Sequence, residues 1–110
     1  MVRLSREVVT TGYYEYHLLE IIEYGMEMFG YAQAKKYFSA IARYVERLES
    51  EYTYHPECRH LATKSRMYRN IILDAHLIIY RITDKRIEVL DIIHSASSIR
   101  KIRRVRKIQL

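Results

Sequence analysis

The sequence predicts an α+β domain. An antiparallel two-helix hairpin packs on a small, mostly antiparallel sheet of three to four strands, and a basic C-terminal helix follows. Three observations carry this expectation. Apolar residues recur at helical spacing through the first half and are interrupted at Phe29-Gly30. Three Ile-rich runs, each short enough for a strand, follow in the second half. Residues 99–110 hold six of the 19 Lys and Arg residues and none of the 13 Asp and Glu residues, so the first 98 residues are formally neutral.

The elements follow in order. Residues 2–5 read as a short edge strand. From about Ser5 the apolar positions fall at helical spacing, with Tyr14, Leu18, Ile21 and Met28 on one stripe and Ile22 and Gly25 beside it. A first helix is expected over residues 6–28, ended by Gly30, which tolerates the left-handed backbone that follows a helix C-cap. A second helix over residues 31–50 carries Ala34, Phe38, Ile41, Val45 and Leu48 at three- and four-residue steps. A turn this short makes the two helices antiparallel, with their stripes on one side. Tyr54-His55-Pro56 ends helical geometry, because Pro disfavours it in the residue before. Residues 67–73, 76–82 and 87–93 are the three Ile-rich runs. The compact connections Leu73-Asp74-Ala75-His76 and Thr83-Asp84-Lys85-Arg86 make them an antiparallel meander. One sheet face is the only partner for the hairpin's stripe. The chain of 110 residues is therefore read as one domain over residues 1–110, with 95–110 as its basic tail.

Composition narrows the function classes. A lone Cys58 allows no internal disulfide, and the first residues lack a signal-peptide pattern. Apolar runs such as Leu77-Ile78-Ile79-Tyr80 are far shorter than a membrane span. A cytoplasmic protein with no membrane partner is expected. His55, Glu57, Cys58 and His60 resemble a zinc cluster but lack paired Cys and a second half elsewhere, so no metal is expected. There is no Gly-rich phosphate loop, so neither nucleotide binding nor any cofactor is expected. Most of the 11 tyrosines, Tyr37 and Tyr44 among them, read as the amphipathic edge of the core.

The run Ile78-Ile79-Tyr80-Arg81-Ile82, then Asp84-Lys85-Arg86, then Ile87-Glu88-Val89-Leu90-Asp91-Ile92-Ile93-His94 is similar to a pattern of the RelE/ParE toxin superfamily of type II toxin–antitoxin systems. The Leu4-Ser5 start and Phe29-Gly30 followed by Ala32 and Ala34 also resemble that superfamily. The likeness spans nearly the whole chain. It implies a toxin with a cognate antitoxin that is small, acidic and partly disordered, and a toxin–antitoxin hetero-oligomer. By alternation along the strands, Tyr80 belongs to the core and Arg81 to the opposite sheet face.

The superfamily holds two activities. RelE-type members cut messenger RNA on the ribosome, and ParE-type members, the plasmid-stabilisation toxins, bind and poison DNA gyrase. RNA cleavage without a metal needs cations around the phosphate and a group near the 2′-hydroxyl. The resemblance would assign that role to Arg69, Arg81 and His94. Other cation positions of the RelE pattern fall at Ile71, Leu77 and near Ala96, and a Tyr after Tyr80 is absent. The ParE-type reading, a growth inhibitor rather than an enzyme, is favoured. A ribosome-dependent ribonuclease and a non-toxic nucleic-acid-binding relative are the alternatives. The basic tail supplies the expected contacts to target or antitoxin, namely Arg100, Lys101, Arg103, Arg104, Arg106 and Lys107 with Ile99 and Ile102.

Overall fold

A computed structural model describes residues 5–110. The elements are strand β1 (Glu7–Thr10), helices α1 (Gly12–Phe29) and α2 (Tyr31–Glu51), strands β2 (Tyr68–Ile72), β3 (His76–Ile82) and β4 (Arg86–His94), and helix α3 (Ile99–Arg104), which tightens into a 3₁₀ turn at Val105–Lys107. The hairpin, the meander and the basic C-terminal helix all stand as the sequence predicts.

The start of the chain differs from expectation. The strand expected over residues 2–5 lies mostly outside the described residues. The observed strand is Glu7–Thr10, within the stretch read as the first turn of a helix. Val8, Val9, Thr10 and Thr11 are all β-branched, which disfavours helix and suits a strand. Helix α1 begins only after Thr11, whose side-chain oxygen accepts from the Tyr14 backbone N–H at 3.0 Å as an N-cap.

Gly30 makes the hairpin turn. Its φ of 85° lies where only glycine is unstrained. Its N–H donates to the Met26 carbonyl, and its own carbonyl accepts from Ala34 N–H, so one residue closes α1 and opens α2. Gly25 lets the two helices approach: a Cβ there would stand 3.6 Å from that of Ala34.

The sheet order is β1-β4-β3-β2. β2, β3 and β4 form the antiparallel meander, and β1 adds to β4 in parallel, pairing Glu7–Thr10 with residues 86–89. In β4 the register opposite Ile79 and Tyr80 skips Leu90, a bulge. Beyond Val89 the edge of β4 has no strand partner among the described residues, and the start of α1 covers it instead. Thr11 donates from its backbone N–H to the Val89 carbonyl and from its hydroxyl to the Leu90 carbonyl.

The two sheet faces bury separate cores. The hairpin covers one, where Tyr14, Ile41 and Leu48 meet Ile78, Tyr80 and Ile92. Each such aliphatic side chain contributes roughly 1.5–3 kcal/mol by leaving water. The Tyr80 hydroxyl donates to the Tyr52 carbonyl at 2.6 Å, which satisfies the polar end of a fully buried ring. The other face is covered by residues 58–61 and by the tail, where Cys58, Leu61, Ile79, Leu90, Ile102 and Val105 pack together. The far half of the hairpin overhangs the sheet. Met28, expected on a buried stripe, is exposed there beyond the sheet, and Phe38, also expected on one, is left partly exposed in a groove beside β1.

Candidate functional site

The tail is built on a period of three. Ser98 caps α3 by accepting from Lys101 N–H, and the helix narrows into the 3₁₀ turn after Arg104. Residues three apart lie nearly above one another in such a turn. Ile102, Val105 and Ile108 form the row that faces the sheet, with Ile102 and Val105 buried. Arg100, Arg103 and Arg106 form a second row, and Lys101, Arg104 and Lys107 a third, all exposed. Ile102 is thus turned into the chain's own core and is not offered to a partner, whereas Ile99 is exposed.

Arg81 holds the tail in place. Its Nη2 donates to the Ile108 carbonyl at 3.1 Å and its Nε to Glu88 Oε1 at 2.7 Å. Arg86 donates to the other oxygen of Glu88 at 2.8 Å. The Arg81 guanidinium also lies 5.8 Å from the centre of the Tyr68 ring. Arg69 is equally committed: its guanidinium donates to the backbone carbonyls of Thr53, His55 and Arg66, stapling the segment that follows α2. His94 closes β4, and its Nδ1 accepts from Ala96 N–H.

These three residues do not converge. His94 pairs with His76, and Arg81 with Glu88, so they sit five residues apart along β3, about 17 Å at the rise of a strand. They also lie on opposite faces. Arg81 meets the tail, while His94 stacks edge-on against His76, which shares a 2.7 Å hydrogen bond with Tyr37 of α2.

Burial, and after it the charge of neighbouring His94, holds the pKa of His76 below 6.5. Burial also lowers that of His55, which sits between the rings of Tyr44 and Tyr80. A base depressed on folding binds fewer protons in the native state. Its contribution is complete above 6.5 and is lost as pH falls from there through the folded value. The melting temperature should therefore drop between pH 7 and pH 5, and the double variant His55→Gln/His76→Gln should flatten that limb. An identical pH profile in this variant would assign the acid sensitivity elsewhere.

The zinc-like cluster is dispersed into structural roles. Cys58 is buried in the second core, with its thiol pushed up to about 11 by burial, and Glu57 accepts from Thr63 N–H. Among the described residues no group of three metal-binding side chains comes together.

Residues 5–99 match the family described as the ParE toxin of the type II toxin–antitoxin system parDE. The chain belongs to the ParE toxin family. Its fold is similar to that of a solved chain from the chromosomal ParDE toxin–antitoxin system of P. aeruginosa, with a TM-score of 0.67 at 17% identity, over 82% of this chain and 96% of that one. No curated protein sequence matches the chain.

The ParE domain carries two further surface features. The described Arg–carboxylate ion pairs are Arg66–Glu57, Arg81–Glu88 and Arg86–Glu88, and Asp91 is hydrogen-bonded to His17, so the six cations of residues 99–110 have no carboxylate partner among the described residues. A largely apolar groove of about 350 Å³ runs between β1 and the hairpin, lined by Val8, Tyr14, Leu18, Phe38, Ala42 and Val45. The sequence had not pointed to it, because the groove depends on where β1 ends. No helix among the described residues is long and apolar enough to cross a membrane.

Proposed function

We propose that this ParE toxin inhibits growth in the bacterial cytoplasm by binding an essential protein, DNA gyrase, and that a cognate acidic antitoxin neutralises it. The observation that carries the non-enzymatic part is the separation of Arg69, Arg81 and His94. Two of the three have their guanidinium groups spent on the protein's own carbonyls and on Glu88, and the third lies on the other sheet face from Arg81. Cations already bound at fixed internal partners are not free to stabilise a phosphorane-like transition state. Gyrase as the target follows from the ParE family resemblance.

The antitoxin reading draws on the groove and the tail together. The groove suits the apolar face of an amphipathic helix. The unpaired cations suit an acidic segment of the same partner. Both surfaces border the first turn of α1, where Tyr14 lines the groove and Tyr13 lies beside the tail, so one wrapping chain reaches both. Each exposed ion pair contributes only about 0–1 kcal/mol, so the tail steers association more than it holds the complex.

The experiment is translation of a defined message in a purified ribosomal system with the toxin present. The message should remain intact. Codon-proximal cuts that disappear in His94→Ala would replace this reading with ribosome-dependent messenger RNA cleavage.

A further inference from the structure

Asp91 is an acid in the apolar run Leu90-Asp91-Ile92-Ile93, and it is 94% buried, being 6% exposed. The bulge at Leu90 and the early end of β1 bring it to the uncovered edge of β4. There its Oδ1 accepts from His17 Nδ1 at 2.6 Å and from Ile92 N–H at 2.8 Å. Its Oδ2 takes no hydrogen bond from the described residues. Among the described residues no fully enclosed side-chain oxygen or nitrogen lacks a partner, so this oxygen keeps some exposure. Asp91 lines an open cavity of about 370 Å³ together with Tyr13, Val105, Ile108 and the cationic row Lys101, Arg104 and Lys107. That volume is within the roughly 300–1,000 Å³ of small-molecule sites.

We propose that this cavity binds a nucleoside phosphate whose base carries an exocyclic amino group. The chemistry is divided among the walls. An exposed carboxylate oxygen on a largely buried residue, taking no hydrogen bond from the described residues, calls for an N–H donor, and the amino groups of guanine, adenine and cytosine supply one. Uracil meets the same carboxylate with an N3–H flanked by two carbonyl oxygens, which it repels. Tyr13, 59% exposed, presents an open ring face for the base. Ile108, half-buried in the row of Val105, gives the sugar an apolar wall. Lys101, Arg104 and Lys107 take the phosphates, Arg104 through its planar fork. The chain has no glycine-rich phosphate loop, and here side chains do what backbone N–H groups do in such loops. A simple anion site is disfavoured, because the carboxylate would repel an ion that offered nothing to donate. The acidic segment proposed for the antitoxin has the other exposed row, Arg100, Arg103 and Arg106, to meet outside this cavity.

The test is titration of the purified toxin with GTP, CTP, UTP and inorganic pyrophosphate at fixed ionic strength. GTP and CTP should bind at least tenfold more tightly than UTP and pyrophosphate. The triple variant Lys101→Gln/Arg104→Gln/Lys107→Gln should lose binding of all four. The control Arg100→Gln/Arg103→Gln/Arg106→Gln removes the same charge outside the cavity and should retain the preference for GTP. Asp91→Asn, checked for an unchanged melting temperature, should bring GTP and UTP within a few-fold of each other. If Asp91→Asn melts early, Tyr13→Ala serves in its place and should weaken the nucleotides while leaving pyrophosphate unchanged. Equal losses in the two triple variants, or equal affinity for GTP, UTP and pyrophosphate in the wild type, would leave a diffuse basic surface and overturn the proposal. Neither result bears on gyrase inhibition, which is read separately.

Discussion

Replacing Ile41 with Asp should cost roughly 3–5 kcal/mol, the scale of an uncompensated buried charge. Ile41 is 1% exposed at the centre of the inner face of α2 and belongs to the core shared with Tyr14, Leu48, Ile78 and Tyr80. A carboxylate there has no cation in the surrounding cluster to meet it, so it either stays charged without water or takes up a proton. Either course removes a large part of the roughly 5–15 kcal/mol that holds an ordinary domain together. Ile41→Val removes one methylene and should cost only about 0.5–1.5 kcal/mol. Urea unfolding followed by circular dichroism reads both. A folded Ile41→Asp protein with an unchanged midpoint would show that α2 does not bury this face.

Glu88→Ala should be comparably severe, again about 3–5 kcal/mol, for an electrostatic reason. Glu88 is 5% exposed and accepts from both Arg81 and Arg86. Its removal leaves Arg81, whose side chain is only 12% exposed, as an unmatched charge, and loosens the residue that ties Ile108 to the sheet. The double variant Arg81→Leu/Glu88→Leu should be far milder than Glu88→Ala, since removing both charges leaves neither stranded. The pair also sets an acid limit. Burial works to raise the Glu88 pKa, but the hydrogen bonds and charges of Arg81 and Arg86 outweigh it and hold it below 4.5. Stability from this carboxylate is present above 4.5 and is lost as pH falls through the lowered value. Glu88→Gln should be less stable at pH 7 and should lose less on going from pH 5 to pH 3. A parallel decline in wild type and Glu88→Gln would remove Glu88 from the acid transition.

The hairpin and the meander were legible because their signals are local. Gly30 between two helical stripes, and three Ile-rich runs with tight turns, need no distant partner to interpret. The parallel strand β1 was not legible in the same way. Its partner lies in β4, some eighty positions away, and only the β-branched run Val8 to Thr11 hinted that helix had not yet begun. The basic tail, with Ile99 and Ile102 among its cations, was legible in the sequence. That the apolar row would fold back on the second sheet face, and not await a partner, was not, because nothing in residues 95–98 says which way the chain turns. Arg81 was correctly placed opposite Tyr80, yet its three partners, Glu88, Tyr68 and Ile108, come from different segments. The His17–Asp91 pair spans 74 positions, and the sequence signal for it was one acid inside an apolar strand. A hydrogen-bonded pair of this kind depends on the bulge and on the short β1, both tertiary features.

The measurement closest to the central claim is DNA supercoiling by purified gyrase in the presence of this toxin, read on agarose gels across a toxin titration. A ParE toxin that acts by binding gyrase should suppress supercoiling and accumulate cleaved DNA, with the same dose dependence in wild type and His94→Ala, because no catalytic group is involved. Addition of the cognate antitoxin should restore supercoiling. Unimpaired supercoiling at toxin concentrations that arrest growth would contradict the account.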